Sequence, residues 1–314
     1  MSRSCNHNSN YLIIIIYYYY ALHTFTIYID ILYVNFYTYN NVYSMCCYIW
    51  LTKQGTVSLY VCVPCTQDHP TTIKKRFFSV FCMMLLAPFF AQLFLNEATM
   101  RRADLLEHMG LRMAGFFKAA ILPLILTAVL FLGPLTMQFF GGIWNIYSEP
   151  AYWWTISQDL VWVRNHLMAP LSEEWVFRSC MVPMLMQCFD LMTAVFVGPL
   201  LFGIAHFHHL FEQVKAGVDF RSALFVSMFQ FLYTSLFGAY SAYLFVSTGH
   251  FVAPLMAHIF CNHMGFPNFG EIFQFPPVQR AMILWNLILG FVLWCYLLTP
   301  LTDPELYDNK LYSL

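Results

Sequence analysis

Residues 222–270 read SALFVSMFQFLYTSLFGAYSAYLFVSTGHFVAPLMAHIFCNHMGFPNFG, without one Asp, Glu, Lys or Arg. A helix needs about 20 apolar residues to cross a hydrocarbon core of roughly 30 Å. The run is therefore long enough for two spans, with a break near Gly249 and Pro254. Other uncharged runs lie at 4–29, 31–52, 77–96, 119–148 and 281–302. They are continuously apolar, whereas strands of a membrane barrel alternate over about ten residues. Pro88, Pro123, Pro134, Pro183, Pro199 and Pro254 fall within apolar stretches, where membrane helices tolerate proline if neighbours satisfy the freed carbonyls. Between 150 and 210 the apolar pattern continues but carries Asp159, Arg164, Glu173, Glu174, Arg178 and Asp190. That stretch reads as three helical segments, 151–168, 171–189 and 191–210, partly shielded from lipid. The expected fold is all-α, a polytopic transmembrane helical bundle of about eight to ten membrane segments.

The composition of the whole chain agrees. Of 314 residues, 60% are hydrophobic and 10% charged, against roughly 25% charged in an ordinary soluble protein. Fifteen Lys and Arg with 16 Asp and Glu cannot cover the surface of a soluble fold this size. The aromatic content excludes disorder, and a net charge of −1 offers no basic face for nucleic acid. The expected partner is the lipid bilayer. Residues 1–54 read as a hydrophobic extension holding one or two membrane helices, although the blocks Ile13–Ile16 and Tyr17–Tyr20 look like compositional bias. Residues 55–300 form the membrane domain and 301–314 a short polar tail. Lys74, Lys75 and Arg76 precede the span at 77–96 and Arg101, Arg102, Arg112 and Lys118 follow it, so the positive-inside rule does not choose between its sides. The loop 141–150 has no basic residue, which weakly places it away from the cytosol.

Charged groups in a bilayer cost roughly 2.5–3.5 kcal/mol each on insertion scales, so they mark function by default. Three clusters qualify. In Glu173-Glu174-Trp175-Val176-Phe177-Arg178, Glu174 and Arg178 are four apart and share a helix face, in the favourable acid-to-base order. Glu173 lies about 100° around the helix and points elsewhere. A competing structural reading makes Ser172 the cap of a helix whose first turn carries two acids, but it leaves Arg178 unexplained. The second cluster places His206 four residues after Phe202, and the third places Asn262 four residues after His258.

Together these suit a water-activating hydrolase. A carboxylate withdrawn from water can take a proton from a water molecule, with His206 holding the water or sharing the proton. His258 and Asn262 supply donors for the oxyanion of a tetrahedral intermediate. The alternative is a zinc ion held by Glu173, His206 and His258, although no H-E-x-x-H helix occurs. No other cofactor is expected. Cys62 and Cys65 form a lone C-x-x-C without the second pair a zinc ribbon needs.

The E-E-x-x-x-R of Glu173 to Arg178, the F-x-x-x-H of Phe202 to His206 and the H-x-x-x-N of His258 to Asn262 resemble the three motifs of the CAAX prenyl protease and bacteriocin-processing superfamily of intramembrane proteases. The contexts APLSEEWVFRSCMVPML, FGIAHFHHLFEQ and HIFCNHMGFP are similar to its eukaryotic type II CAAX prenyl endopeptidases, over roughly residues 55–300. The resemblance implies removal of the a-a-X tripeptide from farnesylated or geranylgeranylated CAAX proteins, such as Ras-like small GTPases. It implies a multi-pass protein of the endoplasmic reticulum membrane whose site opens to the cytosol. It further implies Glu173 and His206 as the water-activating pair and His258 and Asn262 as the oxyanion site. Glu174, Arg178 and Phe202 would support the site or position substrate. A transporter or a silent scaffold of the same superfamily is the competing expectation.

Overall fold

The computed structural model describes residues 48–51, 57–60, 68–187, 189–205 and 208–312. Tyr48–Leu51 (β1) pairs antiparallel with Val57–Tyr60 (β2). The rest of the expected N-terminal extension lies outside the described residues. From residue 68 onward the described chain is helical. Helix α1, Pro70–Phe94, begins with proline in its first turn, and the His69 side chain accepts from the Thr71 amide. Two single turns, Glu97–Met100 and Leu105–His108, lead to α2 (Phe116–Leu130) and α3 (Leu132–Phe140), which bend by 71° at Phe131. Short helices α4 (Ile143–Tyr147) and α5 (Pro150–Ser157) follow.

Residues 160–185 form one helical segment, α6, in which α and π turns alternate; the π turns are Arg164–Met168 and Trp175–Met181. Then come α7 (Leu191–Ala205), α8 (His208–Lys215), α9 (Phe220–Thr248), α10 (Val252–Met264) and α11 (Pro277–Leu301). Among the described residues α1, α9 and α11 are each long and apolar enough to cross a membrane, and the bent α2–α3 pair makes a fourth candidate. The charge-free run that announced the fold breaks where expected. Gly249 ends α9 at a φ of 65°, left-handed backbone that glycine adopts without strain.

Burial concentrates on α6 and its neighbours. Val176, Phe177, Cys180, Met181, Met184 and Leu185 of α6 pack with Met83, Ala87 and Ala91 of α1 and Ala194 of α7. The outer faces of α1, α9 and α11 expose rows of Phe, Leu and Trp, as lipid-facing surfaces require. Pro88 removes an amide from α1 and frees the carbonyl of Met84. The indole Nε1 of Trp175 donates to that carbonyl at 2.9 Å. The breach in α1 is thus repaired by the residue that follows Glu174.

The bundle has two polar ends. At one, Asp68 before α1 meets Arg164 at 2.8 Å, and the end of α10 meets α4 through Tyr147 and His263. The loop at 141–150 belongs to this end, which also carries Lys74, Lys75, Arg76 and Arg164. These basic residues come from distant sequence, so the loop does not set the charge of its end by itself. At the opposite end residues 302–312 of the tail pack into the bundle. Asn309 Nδ2 donates to the carbonyls of Val246 and Ser247 at 2.8 and 3.0 Å, the acceptors a helix terminus leaves unpaired. Tyr312 donates its hydroxyl proton to His108 O at 2.6 Å. Arg112 donates to Asp308 O at 3.0 Å and to Tyr307 O.

Candidate active site

The site is built where α6 meets α9 and α10. Glu174 closes an α turn and Arg178 lies in the π turn that follows. Their side chains pair at 3.1 Å with essentially no exposure. The expected ion pair is therefore present. The competing reading that Ser172 caps a helix does not hold: α6 runs through it, and its hydroxyl donates to Ala169 O at 3.0 Å.

A buried carboxylate is tolerable only with its lone pairs satisfied, and Glu174 has three partners. Arg178 and His258 Nδ1 both meet Oε1, the latter at 2.6 Å, while Ser241 donates to Oε2 at 2.7 Å. Ser241 lies one turn beyond Gly238 on α9. A Cβ at Gly238 would meet Pro199 Cβ at 2.9 Å and Arg178 Nη2 at 3.4 Å, so glycine makes room for the guanidinium. Arg178 Nη2 also donates to Gly238 O at 3.3 Å.

Glu173 has a different setting. Its side chain is 30% exposed, and Oε2 stands 3.7 Å from His258 Nε2, beyond hydrogen-bond length. His258 thus spans the two acids, and the Phe237 ring packs edge-on against it with centroids 4.7 Å apart. Because Nδ1 contacts a carboxylate, Nδ1 carries the proton donated to Glu174 and Nε2 is the nitrogen turned to Glu173. The two carboxylates, one guanidinium and an imidazole that gains a second proton balance in charge. A proton passing between His258 and Glu173 stays inside that balance.

His258 and Asn262 share a face of α10, as their spacing requires, but they do different things. Asn262 Nδ2 donates to Asn165 O at 2.9 Å. This uses one of its two N–H groups and fixes the amide plane, leaving the second N–H for a ligand. Sequence reasoning missed Ser241, Phe237, Trp175 and Asn165. Two of them contribute a backbone carbonyl contact or a ring, which no residue pattern announces. Ser241 had a signal, a small hydroxyl one turn after Gly238 in a charge-free helix. His206 lies outside the described residues, as does the side chain of Phe202, whose backbone belongs to α7.

Of the possible zinc set, Glu173 and His258 stand near each other with one imidazole nitrogen held by a carboxylate, a pairing common at metal-bound histidines. Among the described residues, no group of three or more His, Cys, Asp or Glu is arranged to hold a metal.

Residues 155–264 match the family model described as type II CAAX prenyl endopeptidase Rce1-like, a range that contains every residue of the site. The chain is 44% identical to CAAX prenyl protease 2 of Homo sapiens over 252 residues, 77% of this chain and 76% of the relative. It is 31% identical to CAAX prenyl protease 2 of Arabidopsis thaliana over 84% of this chain and 88% of that protein. The protein of that name from Saccharomyces cerevisiae is 36% identical over 33% of this chain. No solved structure matches the chain. With a relative this similar over three quarters of its length, and with the polar cluster inside the matched region, the chain belongs to the type II CAAX prenyl endopeptidase Rce1-like family.

Proposed function

We propose that this chain is an intramembrane endopeptidase that removes the a-a-X tripeptide from farnesylated or geranylgeranylated CAAX proteins, by attack of a water molecule activated at Glu173. The observation that carries the reading is the inequality of the two acids. Glu174 is spent on Arg178, Ser241 and His258, while Glu173 keeps a partly exposed carboxylate beside His258 Nε2. Glu173 takes a proton from water, with His206 holding that water. Glu174 positions His258, whose doubly protonated form donates through Nε2 to the oxyanion and then gives that proton to the leaving amine, after which the proton that Glu173 took from water passes to His258 Nε2. Asn262 stabilises the same oxyanion with the N–H that Asn165 does not use. These roles need no metal ion. A zinc ion, if bound, would be held by Glu173, His206 and His258 and would polarise the scissile carbonyl.

The protein is proposed to reside in the endoplasmic reticulum membrane with the Glu173 end toward the cytosol. The test is release of a-a-X from a prenylated peptide by membranes containing the protein, with the unprenylated peptide as control and with or without a tight zinc chelator. Cleavage of the prenylated peptide alone, undiminished by chelator, is expected. Equal cleavage of both peptides removes the substrate assignment, and loss of activity in chelator that metal restores removes the metal-free mechanism.

A further inference from the structure

Beside Asn262 lies a group of rings that the chemistry above does not use. His263 of α10 faces Tyr147 at 5.3 Å, Trp153 at 5.8 Å and His166 at 6.0 Å between ring centroids. His166 stacks on Trp162 at 4.7 Å and an interplanar angle of 14°. Two of these rings each have one nitrogen engaged in a hydrogen bond. Trp153 Nε1 donates to Tyr147 O at 2.8 Å, and His166 Nδ1 donates to Trp162 O at 2.9 Å, a carbonyl that can only accept. The Nε2 of His166 and both ring nitrogens of His263 have no hydrogen-bond partner among the described residues. Half-buried imidazoles walled by aromatic rings, with no carboxylate in the group, form a place for an anion with an apolar neighbour.

The location matters as much as the chemistry. His166 follows Asn165, the residue that holds Asn262, and His263 follows Asn262 itself. His263 lies five residues beyond His258, a rise of about 7.5 Å along the helix. Three extended residues span at most about 10–11 Å, so a peptide whose scissile carbonyl sits at Asn262 and His258 can place its last carboxylate among these rings.

We infer that His166 and His263 bind the free C-terminal carboxylate of the peptide substrate and so measure three residues from the bond that is cut. The inference rests on the proposed endopeptidase activity. The carboxylate accepts from His263 and from His166 in its doubly protonated form, while the side chain of the terminal residue packs against Tyr147 and Trp153. The other titratable groups facing the pair are Tyr147 and Tyr152, with Arg164 and its partner Asp68 next along the chain. These are positioning residues, and they leave the reacting atoms alone.

The experiment compares one prenylated peptide as its free acid and as its C-terminal amide, with the full-length protein and its His166→Gln, His263→Gln and doubly substituted variants. The unsubstituted protein should prefer the acid by tenfold or more in kcat/KM, through KM. The variants should lose that preference while their kcat, and their rate on the amide, stay within about twofold. If the unsubstituted protein cleaves acid and amide equally, or the variants keep the full preference, the carboxylate site is overturned while the endopeptidase reading stands. If no prenylated peptide is cleaved at all, it is the endopeptidase reading that fails.

Discussion

The two polar ends of the bundle are both built from buried hydrogen bonds, yet one is open and the other closed. In the tail, Asn309 spends its amide on the carbonyls at the end of α9, Tyr312 spends its hydroxyl on His108 O, and Arg112 is taken up by Asp308 and Tyr307. At the other end, Glu174 is as thoroughly engaged, but Glu173 beside it is left partly exposed and beyond hydrogen-bond reach of His258. The difference is one of purpose. A closed network holds helices, whereas a network with one open acid has somewhere for a proton to go.

Substitutions should separate the two ends. Glu173→Gln, which keeps the volume and removes the base, should lower kcat by about 10²–10⁴-fold with an unchanged melting temperature; a rate near normal would break the contrast. Asn262→Ala should cost about 10²–10³-fold in kcat, with KM for the prenylated peptide changing little. In the tail, Asn309→Ala leaves helix-end carbonyls unpaired and should destabilise the protein by about 1–3 kcal/mol, read as a lower melting temperature in detergent. The turnover of the molecules that remain folded should not change.

The smallest effect is one of pH. Burial pushes the phenols of Tyr307 and Tyr312 well above their ordinary value, so the folded state keeps them neutral after the unfolded chain has begun to ionise near pH 10. Their contribution to stability is therefore complete below about pH 10 and is lost as the pH rises beyond it. Melting temperature should fall across that range, less steeply in Tyr312→Phe. An identical decline in the variant would remove the tail from the explanation.

Much of the open end was legible in the sequence, and little of the closed end. Charge is rare in this chain, so Glu173, Glu174 and Arg178 stood out against an apolar background, and helical spacing was enough to pair Glu174 with Arg178. The π turn at Trp175–Met181 was not legible, because no residue pattern distinguishes a wider turn from an α turn. Nor was the double engagement of His258, which depends on how α10 is rotated against α6. Spacing placed His258 and Asn262 on one face but could not show that they find separate partners. The packing of the tail was not legible either, because nothing local reveals that Asn309 answers unpaired carbonyls 63 and 62 residues earlier.

The repair of α1 by Trp175 also fixes how the two helices stand against each other. The indole and the Met84 carbonyl act as a latch between α1 and α6. Sliding one helix past the other by a single turn, about 5.4 Å, would strand the carbonyl in an apolar surrounding at a cost of about 1–3 kcal/mol. The latch thereby holds α1 and α6 in one register, and the carboxylate of Glu174, the residue before it, is held in the same register.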